Sequence, residues 1–220
     1  MEIIAHRGAW IGDEAQGIPA YEKNSVEAFE TAIEFGFGIE TDFRDICGKI
    51  VVSHNPPESN ALSAENFFQM VIPGQIIAVN VKADGLAARI KTLWQKTAPK
   101  CCPFAFDMSV PDTLDYLKTE FPFYERQSEY EKTTVWNEAS GFWLDGFHSV
   151  WFDHEEICSL LDTKKPVCIV SPELHKRDYR LLWDEIAKLV KIYPEFSDNI
   201  YLCTDQPFVA ERFFNRKKGL

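Results

Sequence analysis

Short apolar runs alternate with amphipathic stretches along the whole chain. The apolar runs are rich in Ile, Val and Phe, and they predict strands that are buried on both faces of a sheet. The predicted strands are 2–6, 37–42, 49–53, 76–81, 103–107, 121–126, 142–146, 166–171 and 199–203. The amphipathic stretches predict helices at 24–35, 63–71, 84–97, 110–119, 154–163, 178–192 and 207–217.

The order of these elements predicts the fold class. Eight strands alternate with helices, and a ninth, 49–53, follows the second strand through a turn at Cys47 and Gly48. Strict alternation favours a parallel sheet, and eight units favour closure into a barrel. We therefore expect an α/β protein with a single (β/α)8 TIM barrel domain over residues 1–220 and without a large insertion domain. A doubly wound open sheet is the alternative, and the polar stretch 127–141 predicts no helix.

Composition and charge limit the classes of partner. Hydrophobic residues make up 45% of the 220 residues and the formal net charge is -11, so the chain can bury a core but lacks the basic surface that nucleic acid requires. An acidic protein still binds phosphate groups when a divalent cation reverses the local charge. The sequence has no apolar run long enough for a transmembrane helix, and we expect it to carry no secretory signal. Its six cysteines are scattered along the chain. We expect a cytoplasmic protein with free, buried thiols, and the oligomeric state stays open.

Polar side chains end several of the predicted strands, where a barrel of this kind carries its catalytic groups. These are His6 and Arg7, Glu40 and Asp42, His54, and Asn80 and Lys82. Each has an ordinary structural explanation when taken singly. However, the spacing of Glu40 and Asp42 puts both carboxylates on one face of an extended chain, and stability does not require the other groups to meet them on the same rim. The set as a whole predicts a catalytic site.

Three segments resemble the signature of the glycerophosphodiester phosphodiesterase family. They read "IAHRGAW", "KNSVEAFETAIEFGFGIETDFRD" and "KIVVSHNPP", and they carry His-Arg-Gly, Asn-Ser, Glu-x-Asp and a second His in the order of that family. The resemblance is dense over residues 3–57 and returns at Lys82 and at "TDQP", residues 204–207. It implies a phosphodiesterase barrel related in fold to the phosphatidylinositol phospholipases.

The resemblance implies a role for each matching residue. Glu40 and Asp42 would hold Mg²⁺ or Ca²⁺, hard cations that prefer oxygen ligands. Arg7 and Lys82 would bind the phosphate of the substrate. The imidazoles of His6 and His54 would share proton transfer, which suits groups that titrate near neutral pH; which of them acts as the base stays open.

This chain departs from the family pattern in several places. Asn80 stands where the family usually has a third metal-binding Glu, and Asn55 rather than Asp follows His54. The strand at 166–171 lacks the Trp-Thr-Val-Asn segment of the family, and the short connection after His54 leaves no room for the insertion that many members use to bind glycerol. These departures leave the reaction class unchanged but do not support glycerol specificity.

We expect a metal-dependent hydrolase that converts a small phosphodiester into a phosphomonoester and an alcohol. A lyase that forms a cyclic phosphate and a non-catalytic barrel that binds phosphoesters are the alternatives. Asn24 and Ser25 are expected to cap the first helix rather than to contact substrate. His148, His154 and His175 have no metal-ligand spacing and are expected to be surface residues.

Overall fold

The computed structural model describes residues 1–131 and 137–218. Its strands are β1 Glu2–His6, β2 Gly38–Ile46, β3 Lys49–Val52, β4 Ile76–Val81, β5 Cys102–Phe106, β6 Tyr124–Gln127, β7 Gly141–Leu144, β8 Val167–Val170 and β9 Ile200–Thr204. Its α-helices are α1 Val26–Glu34, α2 Ala64–Met70, α3 Ala87–Thr97, α4 Val110–Thr119, α5 His154–Asp162, α6 Arg180–Ile192 and α7 Pro207–Lys218. Short 3-10 helices span Glu14–Gln16, Pro172–His175 and Pro194–Asn199. Every predicted strand and helix is present, and the differences lie at their ends.

Two strand boundaries differ from the prediction for identifiable reasons. β2 continues to Ile46 because its last residues pair with β3 as an antiparallel hairpin. β6 begins at Tyr124, later than predicted, because the apolar Phe121 closes the end of α4, where its N–H donates to the Tyr116 carbonyl. Of the polar stretch 127–141, residues 128–131 and 137–140 contain no helix, and 132–136 lie outside the described residues.

Eight parallel strands with helices between them give the (β/α)8 barrel fold that the sequence predicts, without a large insertion domain. Neighbouring strands follow the order β5-β4-β2-β1-β9-β8-β7-β6, and β3 pairs with β2. The chain forms two compact units, which we call the N-terminal unit, Ala5–Phe123, and the C-terminal unit, Met1–Ile4 with Tyr124–Leu220. That residues 1–220 act as one domain stays a prediction.

The N-terminal unit has an aromatic core between its sheet and its first two helices. The ring of Phe67 lies 4.9 Å from that of Phe29 and 6.0 Å from that of Phe43, both in edge-on contacts. The β2 residues Ile39 and Phe43 are fully buried, and since side chains alternate along a strand, Glu40 and Asp42 point to the opposite face. Packing of the apolar face therefore fixes the direction of the two carboxylates.

The C-terminal unit has a separate core in which β7, β8 and β9 pack against α5, α6 and α7. Trp183 on α6 is fully buried, and its indole N–H donates to the Ser171 hydroxyl at 2.8 Å, so the largest side chain of this core has its polar atom satisfied. The six cysteines are free thiols, as predicted, but the expectation that they are buried is wrong for Cys47 and Cys102, which are exposed, and for Cys158, which is half-buried. Among the described residues, no helix is long and apolar enough to cross a membrane.

Candidate active site

The carboxyl ends of β2 and β4 bring three oxygen-bearing side chains together. The strands pair in parallel with Asp42 opposite Asn80 and Glu40 opposite Ala78, so Glu40, Asp42 and Asn80 share one face of the sheet. Each is at least nine-tenths buried, with exposed fractions of 1%, 0% and 7%. The predicted same-face arrangement of the two carboxylates is present.

Arg7 is held at the end of β1 by a left-handed turn. Its φ is 58° and that of Gly8 is 82°. A Cβ at Gly8 would lie 2.8 Å from the carbonyl carbon of Ala28, so the turn requires glycine there. The Arg7 N–H donates to Glu40 twice, to its carbonyl oxygen at 2.9 Å and to its carboxylate Oε2 at 3.1 Å. The turn therefore ties β1 directly to the acidic end of β2.

Asp42 is the centre of a network of charges. Its Oδ2 lies 3.1 Å from Arg7 Nε, and its Oδ1 lies 3.7 Å from Lys82 Nζ. The side-chain N–H of Asn24 donates to Oδ2 at 2.9 Å, and Asn24 Oδ1 accepts from the Thr41 hydroxyl at 3.1 Å. Two cations and one amide donor therefore surround a fully buried carboxylate.

Asn24 is a site residue that our sequence reasoning missed. Ser25 is the helix cap, as expected, because its hydroxyl accepts from the Ala28 N–H at 3.1 Å. Asn24 instead adopts a φ of 61° and turns its side chain to Asp42. The expectation that it belongs only to the cap is wrong, since the left-handed backbone directs its amide away from the helix. The signal was present in the sequence as the Asn-Ser element of the resemblance.

Glu40 has an environment that opposes its negative charge. Burial is the main reason that its pKa lies well above the ordinary value, and the neighbouring Asp42 carboxylate adds to the effect. His6 Nε2 lies 3.7 Å from Glu40 Oε2, so the first predicted catalytic imidazole is beside this carboxylate. Positive charge brought close to Glu40 would favour its ionised form.

His54 follows β3, beside a residue whose backbone pairs with Asp42. The N–H of Ser53 donates to the Asp42 carbonyl at 2.9 Å, and His54 follows directly. Its imidazole Nδ1 lies 3.1 Å from Asn55 Oδ1, so this ring has a polar neighbour although Asn stands where the family pattern has Asp. His54 is exposed, and proximity of its imidazole to His6 stays a prediction.

The donor set fits a hard cation, although it differs from a three-carboxylate site. Among the residues described, no three His, Cys, Asp or Glu side chains are grouped so that they could hold a metal ion. However, Asp42 Oδ1 and Asn80 Oδ1 are buried and accept no hydrogen bond. Buried oxygens without a donor are costly, and Mg²⁺ and Ca²⁺ prefer carboxylate and amide oxygen ligands. Glu40, Asp42 and Asn80 could therefore hold such an ion.

Two histidines outside this group, His154 and His175, are placed differently from our expectation of surface residues. His175, in the C-terminal unit, is not a free surface residue: its Nε2 lies 2.8 Å from Asp145 Oδ1, and its side chain is 24% exposed. Asp145 follows β7 and His175 follows β8, so a pairing thirty residues apart in sequence gives no spacing signal. His148 is exposed, as expected, whereas His154 is half-buried, with 32% of its side chain exposed and its Nε2 3.1 Å from Glu185 Oε2.

No family model matches the sequence, and no curated protein matches it. Solved structures, in contrast, match the chain. A Galdieria sulphuraria protein described as a candidate glycerophosphodiester phosphodiesterase superimposes with a TM-score of 0.71 at 17% identity, covering 97% of both chains. The chain has the fold of the glycerophosphodiester phosphodiesterases. Two further glycerophosphodiester phosphodiesterases have the same fold. The enzyme from Parabacteroides distasonis superimposes with a TM-score of 0.66 at 16% identity, covering 99% of this chain and 98% of that one. The enzyme from Agrobacterium tumefaciens superimposes with a TM-score of 0.60 at 17% identity, covering 100% of both chains.

Proposed function

We propose that this protein is a divalent-cation-dependent phosphodiesterase that hydrolyses a small, glycerophosphodiester-like substrate. The observation that carries the proposal is the network at Asp42, where two cations, Arg7 and Lys82, meet buried oxygens on the carboxyl ends of β2 and β4. Metal-assisted phosphodiester hydrolysis needs cationic side chains that bind the phosphate, and next to them oxygen ligands that hold the metal ion. The fold shared with glycerophosphodiester phosphodiesterases supports the same reaction class.

Arg7 and Lys82 bind the phosphate group in this proposal. The Arg7 guanidinium is always charged and its planar donors match phosphate oxygens, whereas Lys82 contributes a point charge. Both now lie against Asp42, which orients them without a substrate. A bound Mg²⁺ or Ca²⁺ on Glu40, Asp42 and Asn80 would supply Lewis-acid stabilisation of the charge that develops on the phosphate.

His6 and His54 transfer the protons. One imidazole takes a proton from the attacking water as its oxygen bonds to phosphorus. The other gives a proton to the alcohol oxygen as its bond to phosphorus breaks, which leaves a phosphomonoester and a free alcohol. His6 lies beside Glu40 and His54 beside Asn55, and either imidazole can begin as the base.

Product analysis tests the proposal. The purified protein is incubated with bis(4-nitrophenyl) phosphate and with glycerophosphodiesters in added Mg²⁺ or Ca²⁺, and products are followed by ³¹P NMR. We expect a phosphomonoester and reversible loss of turnover with excess chelator. A cyclic phosphate product would favour the lyase, and absence of turnover on every diester would favour a phosphoester-binding barrel. Undiminished turnover in chelator, with no metal detectable, would refute the metal-dependent mechanism.

A further inference from the structure

The connection from β1 to α1, residues 7–25, is the longest strand-to-helix connection in the described part of the chain. We call it the β1–α1 loop. In a (β/α)8 barrel, loops of this kind form the face that binds ligands, and long ordered loops are commonly functional. This loop begins at Arg7 and ends beside Asn24, both of which contact Asp42. It therefore rises directly from the proposed phosphate site.

The two arms of the loop are joined by backbone hydrogen bonds. The Asn24 N–H donates to the Arg7 carbonyl at 2.9 Å, and the Tyr21 N–H donates to the Trp10 carbonyl at 2.7 Å. These bonds hold residues 7–10 beside residues 21–24, so the loop leaves the site as a paired ribbon.

The far end of the ribbon is also fixed. Gly12 has a φ of 75°, and a Cβ there would lie 2.3 Å from the carbonyl oxygen of Pro19, so the backbone passes too close for any other residue. Asp13 and Ile18 form an antiparallel bridge beyond it, and the Asp13 carboxylate accepts from the Ala15 N–H at 3.1 Å. The loop is therefore preorganised in the absence of ligand.

Trp10 and Lys23 face each other across this ribbon. The Lys23 ammonium lies 4.2 Å from the centroid of the Trp10 ring, a cation–π contact. Trp10 is half-buried and Lys23 is exposed. An extended chain covers about 3.5 Å per residue, so Trp10 lies within roughly 10 Å of Arg7. This upper limit leaves Trp10 near enough to contact the group esterified to a phosphate bound at Arg7.

We propose that Trp10 and Lys23 select the alcohol group of the substrate, favouring an uncharged polyol over a cationic head group such as choline. This inference rests on the phosphodiesterase function proposed above. The indole provides a flat apolar surface for the carbon skeleton of a polyol. The ammonium occupies the cation-binding position on that ring and repels a second cation.

Substrate competition tests the inference. Values of kcat/KM are measured for glycerophosphoglycerol and glycerophosphocholine in wild type, Lys23→Gln and Lys23→Glu. Reversing one exposed charge about 6 Å from a cationic head group should shift the ratio of kcat/KM for glycerophosphocholine to kcat/KM for glycerophosphoglycerol about tenfold towards choline. Lys23→Gln removes the charge without reversing it and should shift the same ratio about threefold. The shift should shrink in high salt because the charges are exposed. Trp10→Phe keeps an aromatic ring but offers a smaller surface. It should raise KM for glycerophosphoglycerol more than it lowers kcat.

Lys100→Glu is the matched control, because it makes the same charge change before the amino end of β5, whereas the β1–α1 loop lies at the carboxyl end of its strand. It should leave the ratio unchanged. A ratio that does not move in Lys23→Glu, or that moves equally in Lys100→Glu, overturns the inference while the phosphodiesterase function stands. A wild type that turns over neither glycerophosphodiester nor bis(4-nitrophenyl) phosphate overturns both.

Discussion

Replacing Asn24 with Ala should destabilise the protein more than an ordinary substitution at the start of a helix. Asn24 combines a left-handed φ of 61° with two side-chain hydrogen bonds. It donates to the fully buried Asp42 carboxylate and accepts from the Thr41 hydroxyl, whose residue is also fully buried. Alanine keeps the backbone N–H bond to Arg7 but loses both side-chain bonds and tolerates the left-handed conformation less well.

The magnitude follows from these three losses. A hydrogen bond to a charged group contributes about 1.5–3 kcal/mol, and a buried hydroxyl left without its partner costs about 1 kcal/mol or more. The left-handed backbone adds about 1 kcal/mol for Ala relative to Asn or Gly. Because such terms are not fully additive, we expect a loss of about 3–4 kcal/mol in the free energy of unfolding for Asn24→Ala. Asn24→Gly should lose about 1 kcal/mol less.

Urea denaturation of the variants measures these differences. Ser25→Ala is the matched control, since it removes the helix cap next door and should cost about 1 kcal/mol. A change below about 1 kcal/mol for Asn24→Ala would refute the importance of its bond to Asp42. Equal losses in the Ala and Gly variants would refute the conformational part. Because Asn24 contacts a carboxylate that we propose binds the cation, cation affinity should also fall by about 10–100-fold in isothermal titration.

Further predictions concern proton transfer, the cation and acid stability. His6→Ala and His54→Ala should each lower turnover by about 10²–10⁴-fold at an unchanged melting temperature, with His154→Ala on α5 as the control; near-normal turnover removes that residue from the mechanism. Asn80→Glu should tighten Mg²⁺ and Ca²⁺ binding without substrate, because ligand charge raises affinity, and equal affinities would put position 80 outside the coordination shell. Burial opposes ionisation of Glu129, but backbone N–H groups of the loop after β7 outweigh it and lower its pKa from 4.5 to about 2. A lowered folded-state pKa stabilises the protein above pH 4.5 and loses that contribution as the pH falls towards 2, so Glu129→Gln should flatten this part of the acid-denaturation profile; an unchanged profile would contradict it.

The strands and the direction of the carboxylates were predictable because they depend on local alternation. Glu40 and Asp42 lie between Ile39 and Phe43, and burial of one face of β2 necessarily directs the acids to the other. The start of β6 was less predictable. Phe121 is as apolar as a strand residue, but it packs on Tyr116 of α4 at a ring distance of 6.0 Å, and tertiary contact outweighs local propensity there.

The contacts of the polar side chains depend on distances that sequence spacing does not contain. Asn24 meets Asp42 because a left-handed residue turns its amide away from α1. Asp145 meets His175 because two strand ends lie side by side. In both cases the residue types are ordinary polar ones, and their partners follow from the backbone path rather than from any local pattern.

The turn at Arg7 makes its backbone amide a spectroscopic probe of the site. This N–H donates to the Glu40 carboxylate at 3.1 Å and to the carbonyl of the same residue at 2.9 Å. Any cation or proton that engages the carboxylate changes the electron density at that acceptor and, with it, the ¹H and ¹⁵N chemical shifts of the amide. One backbone resonance would therefore report occupancy of the site during a titration, without a substrate, a chromophore or a mutation.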